Sequence, residues 1–207
     1  PYINLKHQYI VTERVQEFVD RDKQMPVIRD PYCSAYYRQE NKSGLIGVYE
    51  TVGSREAWPD KGQDWDSVSE LFPEELDPIM PWLKRVMDRV PILADAGLET
   101  VINGAITHTP DDNPLVGPAA GVRNFWLSCG SSIGIAQGGG CGKYLAQWMI
   151  HGESEINMAS IDPRRFGAYA NKKYNADKGH EAYAKMYELL LPGEERQAGR
   201  KARITPM

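Results

Sequence analysis

The segment Asn124–Gly152 constrains the fold most. A short apolar run, Asn124-Phe-Trp-Leu-Ser-Cys129, ends at a bend, Gly130-Ser131-Ser132. Beyond it Ile133, Ala136, Cys141, Tyr144, Leu145, Trp148 and Met149 recur at helical spacing. A bounded apolar run reads as a buried strand, and the spaced residues as one face of a helix. Gly152 stands where a left-handed cap belongs, and His151 in the last turn suits the helix dipole. Gly138, Gly139, Gly140 and Gly142 lie inside that helix. Each costs about 1 kcal/mol against alanine, so their presence calls for a close backbone approach.

A strand running through a bend into a helix leaves free N–H groups and a positive dipole end above the strand. That arrangement suits a phosphate, a carboxylate or the electron-rich edge of a reduced flavin. A helix end capped by its own serine, with no ligand, is the structural alternative. The bend also reads G-x-S-x-G over Gly130–Gly134, which would make Ser132 a nucleophile with Asp162 or Asp177 and His180 downstream. No His-Gly-Gly element precedes it, and the upstream chain is a meander. A dinucleotide fingerprint is missing: Gly138 and Gly140 begin G-x-G, but Lys143 takes the third position. A nucleotide-binding half would therefore come from other sequence.

Upstream, His7–Glu13, Val27–Arg29, Ala35–Gln39 and Leu45–Glu50 are strand-like, separated by turn residues such as Asp30-Pro31 and Asn41–Gly44. Gly53–Asp66 reads as a loop. Asp77 and Pro78 signal a helix start, an apolar stripe runs from Leu76 to Val90, and Pro91 ends it. Glu99–Thr107 reads as a strand, and Thr109–Pro114 as turn chemistry. Asp162-Pro163 starts a short helix expected to hold Phe166, Tyr169 and Ala170, and another is expected over Gly179–Leu190. The end of the chain, including Arg200-Lys201-Ala-Arg203, reads as a linker.

Among 207 residues, 24 basic and 28 acidic side chains give a net charge of −4, so no general nucleic-acid footprint exists. No apolar run approaches the ~18 residues of a membrane span. The three cysteines have no C-x-x-C spacing, which fits reduced thiols in cytoplasm or mitochondrial matrix. The four histidines show no metal-ligand spacing. His7 and Tyr36 sit on neighbouring candidate strands; one sheet face could carry both, as a ligand pair or as a satisfied core pair.

Several blocks, in order, resemble the dimethylglycine and sarcosine dehydrogenases and dimethylglycine oxidases. They are Lys6–Glu13, Pro26–Asp30, Tyr36–Glu40, Asn103–Thr107 with Thr109–Gly117, and Gly138–Gly152. The resemblance implies an FAD-dependent oxidoreductase of the D-amino-acid-oxidase type. Such an enzyme demethylates an N-methylated glycine by hydride transfer to flavin, with tetrahydrofolate used in a further C-terminal domain. Dimethylglycine is favoured over sarcosine by the Asn103–Thr107 and Thr109–Gly117 blocks.

The same resemblance makes Tyr36 and His7 the substrate-site, catalytic pair. It places Gly130, Ser131, Ser132, Ile133, Gly134 and Ile135 against the flavin ring, with the serines as caps. Arg29 and Arg38 are candidates to grip a substrate carboxylate. The expected fold is α+β: a mostly antiparallel substrate-binding sheet with a helix over 1–107, and a returning FAD-binding segment over 108–152. Helices over 153–191 and a linker over 192–207 complete it. The N-terminal half of the FAD domain is expected from sequence outside these residues or from another chain. A non-catalytic piece that binds a partner or small ligand is the reading of a different class.

Overall fold

The computed structural model describes residues 1–68 and 70–199, so the basic tail from Arg200 lies outside the described residues. The chain divides into two compact units. One comprises Leu5–Ile106 and Tyr183–Glu195; the other comprises Pro1–Asn4, Thr107–Ala182 and the described residues from Arg196.

The first unit is built on a sheet of five strands: β1 (Ile3–Arg14), β2 (Ile28–Asp30), β3 (Ala35–Glu40), β4 (Ser43–Val48) and β5 (Leu98–His108). Their spatial order is β2-β3-β4-β1-β5. The β2–β3, β3–β4 and β4–β1 pairs are antiparallel. Strands β2, β3 and β4 form a meander as expected, but β1 lies beside β4 rather than β2, so the first four strands are not a simple meander. Asn41 turns the chain between β3 and β4 at φ 53°, a left-handed conformation asparagine tolerates. Side chains alternate across the sheet. Ile10, Ala35, Tyr37, Ile46 and Val48 therefore share one face and join the core with Ile79, Leu83 and Val86. Each buried aliphatic contributes about 1.5–3 kcal/mol.

Helix α1 (Gln16–Val19) is one turn that buries Phe18. Helix α2 (Met80–Arg89) begins later than Asp77-Pro78 signals, with Ile79 at its N-cap. The reason is Pro81, which has no N–H to give: starting at Met80 places it in the first turn, where none is needed.

In the second unit β6 (Leu115–Pro118) pairs antiparallel with β7 (Trp126–Cys129). The sequence reading does not include β6. Strand β7 is half-buried to exposed rather than buried, because it belongs to a two-stranded ribbon with little to cover it. Helix α3 (Gly134–His151) follows the expected span and ends on Gly152 at φ 78°. It has no buried residue. Asp162 accepts from the Arg164 N–H, but the helical turn it caps ends at Arg165, so Tyr169 and Ala170 are not helical. The last helix, α4 (Lys172–Ala184), lies earlier than Gly179–Leu190 because the Asn171 side chain accepts from the Tyr174 N–H at 3.0 Å and starts it there. Gly179 sits inside it because a Cβ there would lie 2.0 Å from Ile3 Cγ2.

Candidate functional site

The sheet face opposite the α2 core carries the polar aromatics. Strand register sets Arg29 opposite Tyr36, Tyr36 opposite Gly47, and Gly47 opposite Tyr9. His7 lies on the same face as Tyr9 by the period of two. A Cβ on Gly47 would fall 2.0 Å from Tyr36 Cζ, so this glycine is the bed on which the Tyr36 ring lies.

The two residues named from sequence meet. His7 Nε2 and Tyr36 Oη are 3.2 Å apart. The other ring nitrogen, Nδ1, is 3.2 Å from Tyr183 Oη, and Tyr183 donates to Glu50 Oε2 at 2.6 Å. Tyr49 packs its ring 4.3 Å from that of His7 and 5.0 Å from that of Tyr183. Glu50 and Tyr183 are fully buried, His7 is buried, and Tyr36 is half-buried. Burial, reinforced by Tyr187 and Tyr9 and opposed by Arg38, pushes the Tyr36 phenol up to about 12. It is therefore a neutral hydroxyl at physiological pH. Burial also raises Glu50, against the pull of Tyr183, its own N–H and Arg55. Tyr183 is raised further, by burial and then by the Glu50 charge.

Tyr49, Glu50 and Tyr183 are missing from the sequence reading. Glu50, an acid closing a strand-like run, is the one local sign; the Tyr183 partnership spans 133 residues and has none. Arg29 and Arg38 differ in their engagements. Arg38 pairs with Glu40 on its own strand. Arg29 lies over the Tyr187 ring at 4.5 Å and donates to the Met186 carbonyl at 3.0 Å. A cleft of about 650 Å³, lined by Pro31, Tyr32, Ser34 and Tyr187 among others, shares only Tyr187 with this cluster.

In the second unit, Gly130 turns at φ 74°, and a Cβ there would press on Thr109 Cγ2 at 2.9 Å. The serines do not cap α3: its N-cap is Ile133, with no side-chain hydrogen bond. The first turn at Gly134 and Ile135 is therefore an exposed helix end without a side-chain cap. Such an end fits the electron-rich edge of a flavin better than a serine-capped one would. Added Cβ atoms on Gly138, Gly139, Gly140 and Gly142 would meet nothing among the described residues. The close approach expected there is not made by these residues.

The acids proposed for a Ser132 nucleophile are engaged elsewhere. Asp162 holds the Arg164 guanidinium at 2.7 Å, and Asp177 holds Lys173 at 2.7 Å. Among the described residues no cluster could hold a metal ion, and no helix is long and apolar enough to cross a membrane.

This sheet and strand–bend–helix pair define the class: the chain belongs to the FAD dependent oxidoreductase family. The family model matches residues 1–148, and the FAD dependent oxidoreductase central domain matches 151–205. Among curated relatives it is 39% identical over 203 residues to human mitochondrial dimethylglycine dehydrogenase, covering 97% of this chain and 23% of that protein. It is 34% identical over 215 residues to mouse mitochondrial sarcosine dehydrogenase, covering 100% of this chain and 22% of that one. The chain thus spans about a quarter of the length of these relatives. Glycine oxidase from Geobacillus kaustophilus shares the fold at a TM-score of 0.58 and 15% identity, over 81% of this chain and 40% of that one. L-proline dehydrogenase from P. horikoshii does so at 0.59 and 20%, over 80% and 40%.

Proposed function

We propose that this chain is the substrate-side portion of a flavoenzyme that oxidatively demethylates an N-methylated glycine, dimethylglycine ahead of sarcosine. The observation that carries this reading is the His7–Tyr36 hydrogen bond on the sheet face opposite the α2 core. It stands in a chain 39% identical to a dimethylglycine dehydrogenase. FAD, when bound, supplies the acceptor for the hydride of the N-methyl carbon. The open α3 terminus, Gly130–Ile135, is the part of this chain that would face its ring. Nucleotide binding then falls to sequence outside these residues or to another chain, because no dinucleotide fingerprint lies within them.

Tyr36, a neutral phenol hydrogen-bonded to the His7 imidazole, orients the amine and handles its proton. Arg29, opposite Tyr36 and free of a carboxylate partner among the described ion pairs, is the residue we assign to the substrate carboxylate. The names of the human and mouse relatives place those proteins in mitochondria. We infer a reducing compartment for this one, the matrix or the cytoplasm, in keeping with its free thiols.

The test is anaerobic mixing of the complete flavoprotein with dimethylglycine and with sarcosine. Bleaching of the flavin absorbance, faster with dimethylglycine, is expected; no bleaching by either overturns the reading. In the same experiment Tyr36→Phe slows bleaching about 10²-fold at saturation. Arg29→Ala weakens substrate binding about 10–100-fold with a smaller change in the saturated rate.

A further inference from the structure

The His7–Tyr36 pair does not end at His7. Glu50 is 1% exposed, and its carboxylate accepts the Tyr183 hydroxyl proton at 2.6 Å. In this link Tyr183 is the donor and Glu50 the acceptor. The Tyr183 oxygen, its hydrogen engaged, must accept from His7 Nδ1–H at 3.2 Å. A neutral imidazole protonated at Nδ1 is bare at Nε2, and that nitrogen accepts from the Tyr36 hydroxyl at 3.2 Å.

We propose that Glu50, acting through Tyr183, fixes the direction of this chain of hydrogen bonds, so that the Tyr36 oxygen presents a lone pair to the substrate ammonium. This rests on the amine-oxidising function proposed above. Glu50 and Tyr183 are positioning residues: neither reaches substrate. The step they prepare moves one proton. The substrate N–H bond breaks and a proton passes to the Tyr36 oxygen while the Tyr36 hydroxyl proton passes to His7 Nε2. Tyr36 keeps one proton throughout, the amine nitrogen keeps its electron pair, and the charge now on the imidazolium faces Glu50 beyond Tyr183.

Titratable groups face this chain on several sides. Tyr36 has Tyr9, Tyr187 and Arg38 near it. Tyr183 has Tyr49 and Tyr36, and Glu50 has Arg55. The buried carboxylate stabilises the imidazolium, so its removal makes His7 a weaker base.

The test uses the complete flavoprotein. In Glu50→Gln the acidic limb of the pH profile for flavin reduction is expected to move down by about one unit, and the plateau rate to fall about 10–100-fold. An unmoved limb overturns the proposal, whether or not the rate falls, because a merely structural role changes the rate without moving the limb. A second measurement needs no turnover: 15N resonances of His7 in the oxidised protein. Wild type is expected to show the Nδ1–H tautomer, and Tyr183→Phe to lose that preference. A wild-type Nε2–H tautomer, or a preference unchanged in Tyr183→Phe, overturns the proposal, and this arm decides if Glu50→Gln does not fold. If wild type is reduced by a different amine, the pH profile is measured with that amine; only the substrate assignment then fails.

Discussion

At the scale of single residues the structure ties chemistry to steric fit. Gly47 shows it. The Tyr36 ring occupies the space a Cβ on Gly47 would need, so Gly47→Ala must push the phenol off its bed. Displacement by about 1 Å is enough to lose about 10²-fold in a positioned reaction. Flavin reduction by Gly47→Ala should fall by that order while circular dichroism stays unchanged; an unaltered rate would show that the ring position does not matter. Asp30 does the corresponding work on the core face. It is buried and receives Tyr37 Oη at 3.0 Å, the Tyr32 and Cys33 N–H groups at 3.0 and 3.3 Å, and Arg89 Nε at 2.7 Å. Burial raises its pKa, but these donors outweigh that and hold it below the ordinary aspartate range. A carboxyl with a depressed folded pKa stabilises fully above its unfolded pKa, and the stability is lost as pH falls through the folded value. Denaturant titrations should therefore show Asp30→Asn less stable by about 1–3 kcal/mol at neutral pH, with the gap closing below about pH 4.

At the scale of elements, α3 carries the largest unsatisfied requirement. Its glycines are exposed and no described residue approaches them. Within these 207 residues Gly139→Ala should stabilise the helix by up to about 1 kcal/mol, read as a higher denaturation midpoint. If the same change destabilises a longer polypeptide, additional sequence packs on that face; equal stabilisation in both would remove the close-approach explanation. The elements differ in how plainly the sequence announces them. The strands β1–β5 are legible because alternation and turn residues are local signals, and α3 because its stripe and its Gly152 cap agree. Helix α4 is misplaced by sequence reading because Asn171, a side-chain cap without an apolar stripe behind it, decides its start. Strand β6 is invisible because four residues paired to β7 carry no period of their own. At the site, His7 and Tyr36 are legible through motif context. Glu50 and Tyr183 are not, since only the folded sheet face brings residues 133 positions apart to 2.6 Å.

At the scale of the whole molecule the question is what this length of chain can hold. One unit carries an uncapped helix end and the other a sheet face with a phenol and an imidazole, but neither carries a glycine-rich turn for a pyrophosphate. Most of the affinity for a dinucleotide comes from phosphate contacts at such a turn and its helix N-terminus. A helix end that meets only the ring supplies an electrostatic contribution of about 0.3–1 kcal/mol, far from the roughly −8 kcal/mol of micromolar binding. The 207-residue chain mixed with FAD should therefore emerge from gel filtration colourless, whereas a polypeptide that also carries a dinucleotide-binding half should emerge yellow. Stoichiometric flavin on the shorter chain would mean that the ring-facing elements bind the cofactor without a phosphate cradle. The assignment of nucleotide binding to other sequence would then be wrong, even with the sheet-face site intact.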